Sequence, residues 1–331
     1  MANPVVFIVG CPRSGTTLLR HILSAHPDLT ITPEAHWIPL FFEEKQGVTA
    51  EGMITPQFVD RLLDHPKFGL FRLPADEVRA LVPSGPAESY VTFLTRVFDL
   101  YGRKQGKALV GNKTPDAARK IPLLHALWPE ARFVHLIRDG RNVALSLMNW
   151  PRVAQKRPGT FSTWKEDPAS TAGMWWELNV RCGREGAKVL DPAMYYELRY
   201  ESLILTPEQE CRALCAFLGL PFHDSMLRHQ DTKPGGGPKV TAKRDWQPIS
   251  TGMRDWRSEM KPEQLERFEA AVGDLLDELG YPRAVPRSEN RYLDDATRIR
   301  NVLMNYPDWS GGPNLSSLAK GGVIESAYYQ I

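Results

Sequence analysis

Short continuous apolar runs alternate along the chain with segments whose apolar residues recur at helical spacing. Residues 5–9 are apolar throughout and Gly10 follows them, which predicts a strand buried on both faces. Residues 16–25 place their leucines and isoleucine on one side of a helix that Pro27 ends. The same patterns predict strands at 108–111, 133–137 and 194–200, and helices at 116–128, 141–148, 171–190, 207–218 and 261–279. This alternation favours an α/β fold, with a mostly parallel sheet flanked by helices on both faces.

Two segments depart from the alternation. Residues 46–106 contain several prolines and glycines among mixed helical pieces, which indicates a helical insertion or lid-like segment. The tail from Pro286 has weak periodicity and two Gly-Gly pairs, which are typical of an irregular extension. We therefore expect one main domain over residues 1–285 and a C-terminal extension over 286–331.

Composition narrows the class of protein. The chain has 331 residues, 42% hydrophobic and 24% charged, as in ordinary globular proteins. Its 41 Lys and Arg residues nearly balance 39 Asp and Glu residues, so bulk charge does not predict a nucleic-acid partner. Four cysteines are too few for a disulfide framework. The first residues do not have the pattern of a signal peptide, and no apolar run reaches the roughly 18 residues of a membrane span. We therefore expect a cytoplasmic protein with no membrane-spanning helix.

The turn between the first predicted strand and helix has the composition of an anion-binding loop. Its sequence, G-C-P-R-S-G-T-T over residues 10–17, has the glycine spacing of a P-loop. Glycines let the backbone wrap so that amide groups converge on an anion at the helix N-terminus. The Lys-Ser/Thr pair that would follow is Thr16-Thr17, and the cation of this loop is Arg13. The loop thus favours one tetrahedral anion over a metal-bound triphosphate.

These residues carry a family resemblance. Pro12-Arg13-Ser14-Gly15-Thr16-Thr17, followed by Leu-Leu-Arg, resembles the 5′-phosphosulfate loop of sulfotransferases that use 3′-phosphoadenosine 5′-phosphosulfate (PAPS). The chain is most similar to the tyrosylprotein sulfotransferases and related bacterial sulfotransferases. The likeness runs in order over about residues 5–282, through Ser24-Ala25-His26-Pro27, Asn112-Lys113, 138–146, Tyr200-Glu201 and Lys233-Pro234-Gly235-Gly236. It implies a P-loop-type α/β fold, PAPS as the donor held by residues 12–17, and the product 3′-phosphoadenosine 5′-phosphate (PAP).

The resemblance also implies a second group of nucleotide-binding residues. Arg138 follows the predicted strand 133–137, and Ser146 lies eight residues further on. In the family the matching residues bind the 3′-phosphate. Tyr200 matches a family tyrosine near the nucleotide, with a buried core tyrosine as the alternative. The stretch 233–257 holds six Lys and Arg residues against two Asp residues, which is typical of a basic loop over an anion or of a solvated loop.

Catalytic residues are implied by the same likeness. Sulfuryl transfer to a hydroxyl needs a base for the acceptor proton and cations where charge grows on the leaving phosphate. Counting from the loop arginine, Glu34 matches the glutamate base of the tyrosylprotein enzymes, and His36 is an alternative base. Many cytosolic family members place a histidine two residues after the lysine that matches Lys113. This chain has Pro115 there, which favours Glu34. Lys113 and Arg13 are expected to stabilise the developing charge.

The sequence is compatible with three functions. The first is metal-independent sulfuryl transfer from PAPS to an acceptor hydroxyl on a small molecule, carbohydrate, lipid or peptide. The second is a P-loop kinase with a degenerate Walker A motif, which the Thr16-Thr17 pair disfavours. The third is a non-catalytic nucleotide-binding module. The sequence leaves the acceptor and the oligomeric state open.

Overall fold

The computed structural model of the protein describes residues 2–82, 88–231 and 255–307. The chain divides into two compact units. The first consists of Met1–Ile137 and Ala187–Thr251, and the second of Arg138–Gly186 and Gly252–Ile331. Within the described ranges no helix is both long enough and apolar enough to cross a membrane.

The first unit is built on a five-stranded parallel sheet with the order β2-β3-β1-β4-β5. The strands are β1 Val6–Gly10, β2 Leu29–Thr32, β3 Leu109–Lys113, β4 Arg132–Ile137 and β5 Tyr195–Arg199. Because β1 is central and both its neighbours follow it in the chain, the loop after β1 opens at a topological switch point, where ligands of α/β proteins bind.

Helices of the first unit cover both faces of this sheet, which confirms the predicted α/β fold. Those of the first unit are α1 Thr16–Ser24, α2 Trp37–Glu43, α3 Phe58–Asp64, α4 Ala75–Arg79, α5 Tyr90–Gln105, α6 Ile121–Leu127, α9 Tyr200–Leu205 and α10 Pro207–Leu218. Those of the second unit are α7 Gly140–Met148, α8 Pro168–Gly186, α11 Trp256–Glu259, α12 Pro262–Glu278 and α13 Leu293–Leu303.

Successive side chains of β1 point to opposite faces of the sheet, and each face has its own hydrophobic core. Phe7 and Val9 join the apolar side chains of α2 to α6, so most of the predicted insertion 46–106 builds one face. Val6 and Ile8 point the other way and pack with α1, α9 and α10. Successive side chains of a strand point to opposite faces, which is why an unbroken apolar run is required here.

A buried cluster of charged side chains around Arg141 links elements of the second unit. The Arg141 guanidinium at the start of α7 is fully buried and donates to both Asp139 oxygens, at 3.0 and 2.8 Å, and to Glu269 at 2.9 Å. It also lies 3.8 Å from the centroid of the Trp256 ring, whose indole N–H donates to Asp139. These contacts satisfy a charge that would be costly to bury alone.

The structure differs from the sequence-based elements in four places. It contains β2, which the sequence reading missed. The predicted helix 116–128 is a 3-10 turn, Pro115–Lys120, followed by α6, since Pro122 fixes a new helix start. The predicted helix 171–190 begins at Pro168 and ends at Gly186. Helix α13 lies in the C-terminal segment expected to be irregular, of which residues 308–331 lie outside the described residues. The boundary at 285/286 stays a prediction.

Candidate active site

The loop after β1 and the end of β3 lie at the same edge of the sheet. Ile8 of β1 is in register with Lys113, the last residue of β3. Parallel strands end at a common edge, so residues 10–17 and Lys113 start from neighbouring positions. The sequence separates them by about a hundred residues, and the strand register brings them together.

Three residues of the loop adopt positive φ, and two of them must be glycine. Gly10 has φ +148°, and a Cβ there would lie 2.4 Å from the Leu136 carbonyl oxygen. Gly15 has φ +97°, and a Cβ there would lie 2.5 Å from the ring of Tyr200. Arg13 has φ 78°, a region that L-residues with a side chain rarely adopt. The loop is therefore a tight turn built by close contacts on both sides.

The loop presents unfilled hydrogen-bonding capacity at the start of α1. Gly15 is the N-cap residue of this helix and has no side chain with which to cap the first N–H groups. Ser14 is fully buried, and its Oγ has no hydrogen-bond partner among the residues described. A helix N-terminus and a buried hydroxyl suit an oxyanion. The predicted residues Pro12, Arg13, Ser14, Gly15, Thr16 and Thr17 lie together in this turn and at the start of α1, and their binding of a phosphosulfate stays a prediction.

Glu34 and Lys113 form an ion pair. The Lys113 ammonium, which is buried, lies 2.8 Å from Glu34 Oε1. The neighbours of Lys113 hold the segment that carries Glu34. Asn112 donates to the Thr32 hydroxyl at 2.8 Å and to the Pro33 carbonyl, and the Thr114 hydroxyl accepts from the amide of Ala35 at 2.8 Å. Asn112 at the end of β3 and Thr114 directly after it therefore hold the backbone on both sides of Glu34.

Two more groups face the same carboxylate. Lys67 Nζ lies 3.0 Å from Glu34 Oε2, and His36 Nε2 lies 3.2 Å from that oxygen. His36 Nδ1 lies 3.9 Å from an Asp116 carboxylate oxygen. His36, the alternative base, is thus a neighbour of Glu34. Sequence reasoning missed Lys67, since its position in the chain carries no signal of this contact.

The cluster holds Glu34 ionised. Burial alone would raise the pKa of its carboxyl, but the charge of Lys113, the His36 hydrogen bond and the charge of Lys67 outweigh it. The pKa of Glu34 therefore lies well below its usual range. Burial lowers the pKa of Lys113, and Glu34 opposes that shift while Arg20 and Lys67 add to it. The cations Lys113 and Lys67 flank this carboxylate, and positive charge at a site favours an anionic ligand.

The remaining predicted nucleotide-binding residues are buried. Tyr200, at the start of α9, covers Gly15 and belongs to the core on that face, and its role near the nucleotide stays a prediction. Arg138 and Ser146 belong to the second unit, where the Trp176 indole donates to the Arg138 carbonyl at 3.1 Å. Asp139 caps α7 by accepting from the Arg141 amide. Of the basic stretch 233–257, only residues 255–257 lie within the described residues.

Comparisons with known proteins identify the class. Residues 4–224 match the model of the Sulfotransferase family, and the chain belongs to this family. Protein-tyrosine sulfotransferase 1 of Danio rerio is 27% identical, over 90% of this chain and 79% of its own length. Nodulation protein NoeE of Sinorhizobium fredii is 26% identical, over 93% of this chain and 74% of its own length.

A solved structure shows the same fold. The sulfotransferase domain from the curacin biosynthetic pathway superposes with a TM-score of 0.55 at 21% identity, covering 84% of this chain and 98% of that domain. The protein is therefore an enzyme of the sulfotransferase class with a P-loop-type α/β fold, and the predicted family resemblance is confirmed. The roles of individual site residues stay predictions.

The ion pair predicts how Lys113 titrates when Glu34 loses its charge. In Glu34→Gln the opposing negative charge is gone while burial remains, so the pKa of Lys113 should fall further. NMR of ¹³C-dimethylated lysines measures this titration. Lys104, which pairs with Glu77 at 2.6 Å, is the internal control and should not move. An unchanged pKa of Lys113 would contradict the ion pair.

Proposed function

We propose that this enzyme transfers a sulfuryl group from PAPS to an acceptor hydroxyl, with Glu34 as the general base. The observation that carries the proposal is the Glu34–Lys113 pair, set at the sheet edge where the anion-binding loop begins. Membership of the sulfotransferase family supports the reaction class. Two features support a bound oxyanion at the loop: the buried Ser14 hydroxyl, which has no hydrogen-bond partner among the described residues, and the N-terminus of α1 with its glycine N-cap.

Two groups of residues are proposed to contact the donor. Residues 12–17 hold the 5′-phosphosulfate end, and Tyr200 lies near the nucleotide. Arg138 and Ser146 bind the 3′-phosphate, since a guanidinium and a hydroxyl are strong donors to phosphate oxygens. When bound, PAPS supplies the sulfuryl group and the leaving phosphate.

The chain's own residues then provide proton transfer and charge stabilisation. Glu34 takes the proton of the acceptor hydroxyl, whose oxygen forms the new bond to sulfur. Lys113 and Arg13 place positive charge where the leaving phosphate gains negative charge. We propose that no metal takes part, because the loop lacks the Lys-Ser/Thr pair that positions Mg²⁺ in P-loop enzymes.

A transfer assay tests the proposed reaction. The enzyme is incubated with ³⁵S-labelled PAPS in EDTA and a panel of hydroxyl acceptors, and transferred label is counted. The panel includes a tyrosine peptide, because several relatives are named protein-tyrosine sulfotransferases, together with carbohydrate, lipid and small phenolic acceptors. Transfer of label supports the proposal. Activity that requires added Mg²⁺ and transfers phosphate from ATP would favour the kinase hypothesis instead.

Arg138 should give the enzyme its preference for PAP over ADP. Replacing it with alanine removes a charge-assisted phosphate contact, which is worth roughly 1.5–3 kcal/mol. Calorimetry should show PAP affinity falling about tenfold or more in Arg138→Ala, with ADP affinity little changed. The control Arg287→Ala removes an exposed guanidinium of the same unit, paired with Asp274. Equal affinity of the unaltered enzyme for PAP and ADP would contradict this role.

Glu34→Gln should keep PAP affinity and lose turnover. Removal of a positioned proton acceptor typically lowers the rate by roughly 10²–10⁴-fold. The loss should be smaller for nitrophenols than for aliphatic alcohols, because acidic hydroxyls need less help in losing a proton. Glu43→Gln is the matched control, since Glu43 pairs with Lys120 at 2.7 Å. Near-normal turnover of Glu34→Gln on an alcohol would remove Glu34 from the mechanism.

A further inference from the structure

Lys67 contacts the proposed base from a part of the chain that the proposed reaction does not use. The two Glu34 oxygens have different lysine partners, since Oε1 faces Lys113 and Oε2 faces Lys67. Lys113 belongs to β3, whereas Lys67 comes from the segment 46–106. The Lys67 side chain is 40% exposed and that of Lys113 is 6% exposed, so the Lys67 contact lies on the more open side of the carboxylate.

Aromatic packing places Lys67 at this contact. Lys67 precedes the 3-10 turn Phe68–Phe71, and both of these phenylalanines are buried. Their ring centroids lie 5.6 and 5.8 Å from that of Trp37, three residues after Glu34. The amide of Lys67 also donates to the His65 ring at 3.2 Å. Because α2 begins with Trp37, the packing that anchors this turn also fixes its distance from Glu34.

Lys113 and Lys67 differ in their expected roles during the reaction. In the proposed function Lys113 stabilises charge on the donor, so its hold on Oε1 must weaken as the reaction proceeds. Glu34 would then keep Lys67 and His36 as neighbours of Oε2. His36 also faces Asp116, which competes for its ring. A flexible glutamate that must receive a proton needs a lasting contact on its other oxygen to stay in a productive position.

We propose that Lys67 is a positioning residue for the proposed base, holding Glu34 Oε2 so that Oε1 remains available to the acceptor proton. The inference rests on the proposed function, which gives Lys67 no role. By this inference, the segment 46–106 contributes to the active site through the ammonium group of Lys67.

The charges around Glu34 determine the sign of the expected pH effect. Lys113, Lys67 and His36 face the carboxylate directly, Arg20 acts on Lys113, and His65 and Asp116 face His36. A positive charge within about 4–6 Å lowers the pKa of a carboxyl by roughly 1–3 units. Removing the charge of Lys67 therefore raises the pKa of Glu34, and the base becomes protonated at a higher pH.

The test compares acceptor kcat/KM at saturating PAPS and pH 7.5, for an aliphatic alcohol and for a nitrophenol, in Lys67→Met, Lys67→Arg and Lys104→Met. Lys104 is the matched control, a half-exposed lysine paired with Glu77. In Lys67→Met, kcat/KM should fall at least about fivefold for the alcohol and clearly less for the nitrophenol, because a weakly acidic hydroxyl depends more on a well-placed base. Lys67→Arg, which keeps the charge, and Lys104→Met should keep the wild-type values for both acceptors.

A second readout needs no turnover. The ¹³C shift of the Glu34 carboxyl carbon, assigned by its loss in Glu34→Gln, is followed in the ligand-free protein as pH falls. Its protonation should begin about one pH unit higher in Lys67→Met than in the wild type or Lys104→Met. Calorimetry with PAP should show unchanged affinity in Lys67→Met.

The contrary outcomes are distinct. An equal fall in kcat/KM for both acceptors, with an unmoved carboxyl titration, would mean that Lys67 is only structural and would overturn the inference. Lys67→Arg as defective as Lys67→Met would also overturn it. If Glu34→Gln keeps full turnover, the proposed base fails and the inference fails with it. If Glu34→Gln loses turnover while Lys67→Met matches the wild type for both acceptors, only the inference fails.

Discussion

The close approach of β1 to β4 is the constraint on which the candidate site depends. At Gly10 the backbone of β1 lies so near the Leu136 carbonyl that no side chain fits. The chain can therefore turn sharply at the sheet edge, and α1 begins at Thr16, six residues after Gly10. The same central position gives β1 the neighbour β3, whose last residue is Lys113. One packing requirement thus places the loop and the buried ammonium together.

The residues that sequence reasoning found are those whose signal is local. The loop 10–17 carries its glycines, its arginine and its helix start in one stretch, and the structure shows that turn. Glu34 and Lys113 were separate predictions from family-like motifs, and their contact at 2.8 Å brings them together. Strand β2 was missed because it has four residues, two of them threonine, close to prolines on both sides. Its burial depends on pairing with β3, which no local pattern displays.

Lys67 shows why other parts of the site required the structure. Its contact with Glu34 spans 33 positions of the chain and depends on two phenylalanines packing against Trp37. None of those aromatic residues is distinguishable in sequence from ordinary core. Two opposing effects also act on the Glu34 carboxyl, because burial favours its neutral form while the surrounding cations favour its charged form. Only the distances decide that the cations prevail.

At position 13 the conformational stability of the loop and its positive charge require different residues. A left-handed conformation costs a residue with a side chain roughly 1–2 kcal/mol, and glycine would avoid that cost. Glycine would also remove the one cation inside the turn and add conformational freedom to the unfolded chain. Position 13 therefore admits no substitution that improves both properties. A search for more stable versions of this enzyme should leave the loop unchanged and look for gains elsewhere in the fold.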